Sequence, residues 1–65
     1  MKIQEPKTEA ELIKMEIDKA GINLEAAISN FHYARSKEMI DYYTYLIKAN
    51  EILYDFLNKK YKEVN

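Results

Sequence analysis

Apolar side chains recur along the first half of the chain at alternating steps of four and three residues. The positions are Ile13, Ile17, Ala20, Leu24, Ala27 and Phe31. This spacing places the side chains along one side of an α-helix, as a heptad seam. Thr8 and Glu11 stand just before the run as a capping box. The pattern predicts a first helix over about 9–34 and, before it, a flexible arm at about 1–7.

A second apolar run follows after a short interruption. Its predicted seam comprises Met39, Tyr42, Leu46, Ala49, Leu53 and either Phe56 or Leu57. Ser36 can cap a new helix, and Glu38 in its first turn suits the positive helix end. We expect a second helix over about 37–63, after a turn near 33–36. Neither Gly nor Pro enforces that break, so one continuous helix over 9–63 is the alternative.

A short turn makes two helices antiparallel neighbours, so the fold class is all-α, an antiparallel two-helix hairpin spanning 8–65. Folding about the turn gives facing partners whose residue numbers sum to about 71. Ala20 and Gly21 then face Ala49 and Asn50, so that small residues of the two helices lie opposite each other. Glycine inside a helix costs about 1 kcal/mol relative to alanine, and a close approach of the two backbones would offset this.

The second helix carries more apolar surface than one neighbour can cover. On a helical wheel its apolar arc spans roughly two-thirds of the circumference, whereas a single packed face needs about 100°. One flank of the predicted seam contains Tyr45, Ala49, Ile52 and Phe56, and the other contains Ile40, Ile47 and Tyr54. We expect a second molecule to bury at least one flank, and these seven residues are the candidate interface.

A homodimer is the favoured solution, in which two hairpins pair into a four-helix bundle with the second helices at its centre. A first alternative is that another cytosolic protein accepts Tyr45, Ile52 and Phe56 as anchors of a helix in a groove. A second alternative is a monomer, because a tyrosine ring can lie flat on a surface while its hydroxyl stays in water.

Length and composition leave oligomerisation or very regular helix packing as sources of stability. A chain of 65 residues forms one small domain that is marginally stable alone. It has no cysteine, so disulfides and thiolate metal sites do not contribute to stability. The net charge of −1 gives no general attraction to nucleic acid or anionic lipid. Neither a membrane-spanning run nor the apolar core of a signal peptide is present, so a cytoplasmic protein is expected.

Candidate chemistry is sparse. His32 has no partners at metal-ligand or catalytic spacing, so we interpret it as an exposed or capping residue. The carboxylates alternate with lysines, as on a solvated helix face. The basic end at 59–62 is more typical of a helix C-terminus than of a single-strand nucleic-acid patch. Asn50 is either a register-setting seam residue or a surface-edge residue. The sequence predicts no enzyme, no cofactor and no metal.

The segment MIDYYTYLIKANEILYDFLNKKYK resembles the YaaL-like family, small bacterial proteins of unknown function. The matching positions are Met39, Ile40, Asp41, Tyr42, Tyr45, Ala49, Tyr54, Leu57 and the closing lysines, with Phe31 as an upstream aromatic residue. Leu53 stands where the family has arginine, and Phe56 where tyrosine is usual. The resemblance covers about half the chain. It implies a two-helix fold and carries no activity.

The segment 36–41 is also similar to the Ser-Gln-Glu-Leu-Asp motif of small sporulation phosphatases, which are helical hairpins. Ile40 is an insertion relative to that motif and turns Asp41 by about 100° around the helix. This regulator is therefore less favoured. The sequence as a whole predicts a non-enzymatic protein-interaction module that self-associates through its second helix.

Overall fold

The computed structural model describes residues 8–64 as two α-helices joined by a short connection. Helix α1 is Glu9–Tyr33 and helix α2 is Lys37–Val64. The helices run antiparallel and pack against each other along their lengths. This confirms the prediction of an all-α two-helix hairpin. The arm predicted at 1–7 lies outside the described residues.

Helix α1 begins with the predicted capping box. The Thr8 hydroxyl accepts a hydrogen bond from the Glu11 backbone N–H at 3.1 Å. The Glu11 carboxylate accepts in return from the Thr8 backbone N–H at 2.9 Å. Two donors that the first turn leaves without helical partners are thereby satisfied. Glu9 and Glu11 also place negative charge at the positive end of the helix dipole.

The connection between the helices is a true break. Ala34 is extended, with φ −69° and ψ 137°, and its N–H donates to the Phe31 carbonyl at 3.1 Å. The Ser36 hydroxyl then accepts from the Met39 backbone N–H at 3.2 Å and caps α2. Because Ala34 leaves the helical region of backbone space, the single continuous helix is excluded.

The hydrophobic core lies toward the open end of the hairpin, away from the connection. Ile13, Ile17 and Ala20 of α1 pack with Leu57 of α2, and Tyr61 and Val64 lie against this cluster. Further along the α1 seam, Ala27 is buried and Leu24 is half-buried. Phe31 is exposed. The heptad pattern therefore identifies the packed side of α1 over most of its length.

The packed side of α2 differs from the predicted one. The side chains facing α1 recur at steps of four and three: Tyr43, Ile47, Asn50, Tyr54, Leu57, Tyr61 and Val64. We call this set the α2 seam. It is rotated by about 70° on the helical wheel from the predicted seam. Of the predicted seam, Met39, Tyr42 and Leu53 are exposed, whereas Leu46 and Ala49 are half-buried. Of its two alternative last members, Leu57 is buried and Phe56 is exposed.

Gly21 does not face a small residue. Its nearest neighbour across the hairpin is the Tyr54 ring, with Cε1 at 3.6 Å from the place of a Cβ at residue 21. A helical side chain leans over the turn that precedes it, so this ring covers Gly21 from a position further along α2. A large ring lies over the glycine, so the predicted meeting of small residues is wrong. The expected close approach of the backbones at Gly21 is therefore absent.

Replacing Ser36 tests the break. Ser36→Ala removes the acceptor of the Met39 N–H and should lower the free energy of unfolding by about 1 kcal/mol. For a chain of this size the melting temperature should fall by roughly 4–8 °C at fixed protein concentration. Ser36→Asp restores an acceptor and is the matched control. Equal melting temperatures for the two variants would contradict a capping role for Ser36.

Replacing Gly21 tests how closely the two helices approach each other at this residue. In Gly21→Ala the new methyl group meets the Tyr54 ring at an ordinary van der Waals distance. The helix propensity gain should therefore raise the free energy of unfolding by about 1 kcal/mol in thermal or urea melts. Ala26→Gly, on the exposed side of the same helix, should lower it by a similar amount. A destabilised Gly21→Ala protein would show instead that the helices touch at this point.

Candidate functional site

Polar chemistry is confined to the surface of the described hairpin. No polar or charged side chain between residues 8 and 64 is buried. Over the same residues, His, Asp and Glu form no group able to hold a metal ion. His32 is exposed in the last turn of α1, with its ring 6.2 Å from that of Phe31. Nothing in this geometry activates the imidazole as a base or ligand.

Two open grooves lie beside Tyr54. One, of about 470 Å³, is lined by Ile17, Asp18, Gly21, Ile22, Glu25 and Tyr54. The other, of about 400 Å³, is lined by Leu24, Lys48, Glu51, Ile52, Tyr54 and Asp55. These volumes lie within the range of small-molecule sites, about 300–1,000 Å³. However, a specific site also needs precisely placed polar groups that are shielded from water, and the polar side chains of both grooves are exposed.

The clearest candidate surface is a row of apolar side chains on α2, turned away from its seam. Its members recur at steps of three and four, as a second heptad pattern: Tyr42, Tyr45, Ala49, Ile52 and Phe56. We call this row the α2 stripe. Tyr45, Ile52 and Phe56 are 70%, 61% and 59% exposed, and Ala49 is half-buried. Exposed Leu53 lies along its edge toward the seam. The row is contiguous, unlike the isolated apolar residues common on protein surfaces.

The first predicted flank of α2 falls entirely on the α2 stripe. Its members are Tyr45, Ala49, Ile52 and Phe56. The structure therefore groups four of the seven candidate interface residues on one open surface. The interface itself stays a prediction, since the structure shows exposure and not contact with a second molecule.

The second predicted flank does not form one surface. Ile47 and Tyr54 belong to the α2 seam and lie toward α1. Ile40 is exposed near the connection. It lies between about 120° and 180° around the helix from the five residues of the stripe, on the opposite side of α2. These three residues therefore cannot act together with the stripe on one flat partner surface.

Helix α1 also exposes apolar side chains on its back. Met15, Ile22 and Tyr33 lie there, opposite the α1 seam, with Ile22 65% exposed. Lys19 falls within the same row and donates to Glu16 at 3.4 Å. This row is sparser than the α2 stripe and contains a charge, so it is the weaker candidate surface.

The remaining face of α2 is polar and satisfies its own hydrogen bonds. Thr44 donates to the Ile40 carbonyl at 2.7 Å, and Asn58 donates to the Tyr54 carbonyl at 2.9 Å. Lys37 pairs with Asp41 at 2.7 Å, with both side chains exposed. These groups form a solvated face, which bounds the stripe on its far side.

The hydrogen bond of Asn50 agrees better with the second of its two predicted roles, that of a surface-edge residue. The side-chain amide of Asn50 donates to the Leu46 carbonyl of the same helix at 2.9 Å. The bond therefore stays within α2, and the side chain is half-buried at the edge of the contact with α1.

Sequence reasoning missed part of the exposed surface. The heptad pattern places Met39, Tyr42 and Leu53 in the intramolecular seam, but all three are exposed, Tyr42 within the stripe and Leu53 beside it. The available signal is the second heptad pattern, which starts at Tyr42 and ends at Phe56. Tyr42, Ala49 and Phe56 belong both to this pattern and to the predicted seam. A helical wheel alone therefore does not show which of the two sets of residues faces α1.

Neither helix between residues 8 and 64 is long and apolar enough to cross a membrane. Comparison of the chain with protein-family models, curated proteins and solved structures gives no match. The resemblance to the YaaL-like family therefore stays an expectation.

Two adjacent residues test which side of α2 is packed. Leu57 is 9% exposed and Phe56 is 59% exposed. Leu57→Ala should lower the free energy of unfolding by about 2 kcal/mol or more, because it opens a cavity in the core. Phe56→Ala should have a much smaller effect in urea melts at concentrations where the chain is monomeric. The reverse order would show that Phe56, and not Leu57, packs against α1.

Proposed function

We propose that this chain is a non-enzymatic interaction module, a helical hairpin that forms a homodimer through the α2 stripe. The observation that carries the proposal is the exposure of Tyr45, Ile52 and Phe56 in one heptad row. Burying large apolar side chains contributes about 1.5–3 kcal/mol each, before the costs of association. Two copies of a self-complementary row can bury each other about a twofold axis.

The small core supports the same proposal. Within residues 8–64 only five apolar side chains are buried: Ile13, Ile17, Ala20, Ala27 and Leu57. Small domains without disulfides or metals commonly gain stability by oligomerisation. A four-helix bundle with both α2 helices central would give each hairpin a second packed side.

A second candidate is a different cytosolic protein whose groove accepts the α2 stripe. Tyr45, Ile52 and Phe56 are spaced by seven and four residues, which suits a helix bound in a groove. A partner of this kind would use the same residues, so the two candidates differ in the state of the isolated chain. The pure protein is a dimer under the first and a monomer under the second.

Light scattering on two matched variants tests the proposal. Ile52 and Ile22 are 61% and 65% exposed, on α2 and α1 respectively. The native chain should have the mass of two chains at micromolar concentration. Ile52→Asp should have the mass of one chain, because a charge in a buried interface is strongly unfavourable. Ile22→Asp should remain dimeric, and both variants should keep their helical circular dichroism.

A native chain that is monomeric at high micromolar concentration would overturn the homodimer. If Ile22→Asp were monomeric while Ile52→Asp stayed dimeric, the interface would lie on the back of α1 instead. Capture of one defined partner by the native chain, but not by Ile52→Asp, would then favour the second candidate.

A further inference from the structure

Charged side chains continue the line of the α2 stripe at both of its ends. Glu38 lies four residues before Tyr42, and Lys60 lies four residues after Phe56. Both fall within about 40° of the stripe's centre on the helical wheel. Neither forms an ion pair within residues 8–64. Glu63, seven residues after Phe56, also lies within about 20° of that centre. The open end of the stripe therefore carries Lys60 next to the apolar residues and a carboxylate beyond it, whereas Glu38 lies at the end near the connection.

The two outermost side chains of the stripe are placed symmetrically about Ala49. Tyr42 precedes it by seven residues and Phe56 follows it by seven, and both are aromatic. Ala49 is the smallest member, so two helices can approach most closely where their Ala49 residues meet. A crossing at Ala49 on a twofold axis places Tyr42 of each copy beside Phe56 of the other.

We propose that the occupant of the α2 stripe is a second copy of α2 in antiparallel orientation, crossing at Ala49, with Glu38 of each copy facing Lys60 of the other. This inference rests on the proposed homodimer and adds its orientation and register. In this register no two like charges of α2 occupy facing positions. A parallel pairing would set Glu38 against Glu38 and Lys60 against Lys60, and would also align the two helix dipoles unfavourably.

Disulfide trapping tests the orientation. The native chain has no cysteine, so Glu38→Cys and Lys60→Cys each introduce a single thiol and leave the stripe intact. In the antiparallel dimer, two residues at position 38 lie about 33 Å apart, far beyond the reach of a disulfide. Mild oxidation of the mixed variants should therefore give a disulfide-linked heterodimer, and oxidation of either variant alone should give almost none.

Three other outcomes are distinguishable. Linked homodimers of each single variant would show a parallel pairing and overturn this inference, while the proposed homodimer stands. A dimer by light scattering without any crosslink would overturn the register. A monomeric native chain would overturn the proposed function itself, and this inference with it.

Charge reversal gives an independent readout. Glu38→Lys or Lys60→Glu alone opposes like charges at both ends of the symmetric interface, and should raise the dimer dissociation constant roughly tenfold at low salt. The double variant should return to within about twofold of the native value, since both pairs are restored. If the two side chains affected dimerisation only through the helix dipole, the double variant should have a higher dimer dissociation constant than either single variant. That result would overturn the facing of Glu38 and Lys60.

Discussion

The contact of Leu57 with Ile13, Ile17 and Ala20 determines the rest of the hairpin. It turns one side of α2 toward α1 and brings Tyr61 and Val64 against the same cluster. Burial of these apolar groups is the main favourable term in a chain without disulfides. Once Leu57 faces α1, the α2 stripe, centred about 100° away around the helix, must face water or another molecule. The exposure of the α2 stripe is thus a consequence of how the core is packed.

The amphipathic character of tyrosine explains the orientation of α2. The α2 seam includes Tyr43, Tyr54 and Tyr61, while Met39 and Leu53 are exposed. A tyrosine ring can pack on a neighbouring helix while its hydroxyl reaches water at the edge of the contact. The predicted seam, which includes Tyr42 and Leu53 but leaves Tyr54 on a flank, therefore has its centre about 70° from that of the α2 seam.

The two heptad rows of α2 give one helix two possible partners. The α2 seam is matched by α1 of the same chain, and the α2 stripe has no partner within residues 8–64. A helix in a four-helix bundle has this arrangement, with a packed side for each neighbour. The charges at the ends of the stripe do not change the apolar area, but they distinguish an antiparallel from a parallel neighbour.

The sequence by itself determined the two helices, the capping box at Thr8 and Glu11, the cap at Ser36 and the packed side of α1. These features depend on local hydrogen bonds and on the period of apolar residues, which are readable along the chain. Only the tertiary structure decided which of the two rows of α2 faces α1, and that Gly21 lies beneath Tyr54. Both rows have heptad spacing, so the choice depends on how side chains of α1 and α2 fit together in space, which no local pattern specifies.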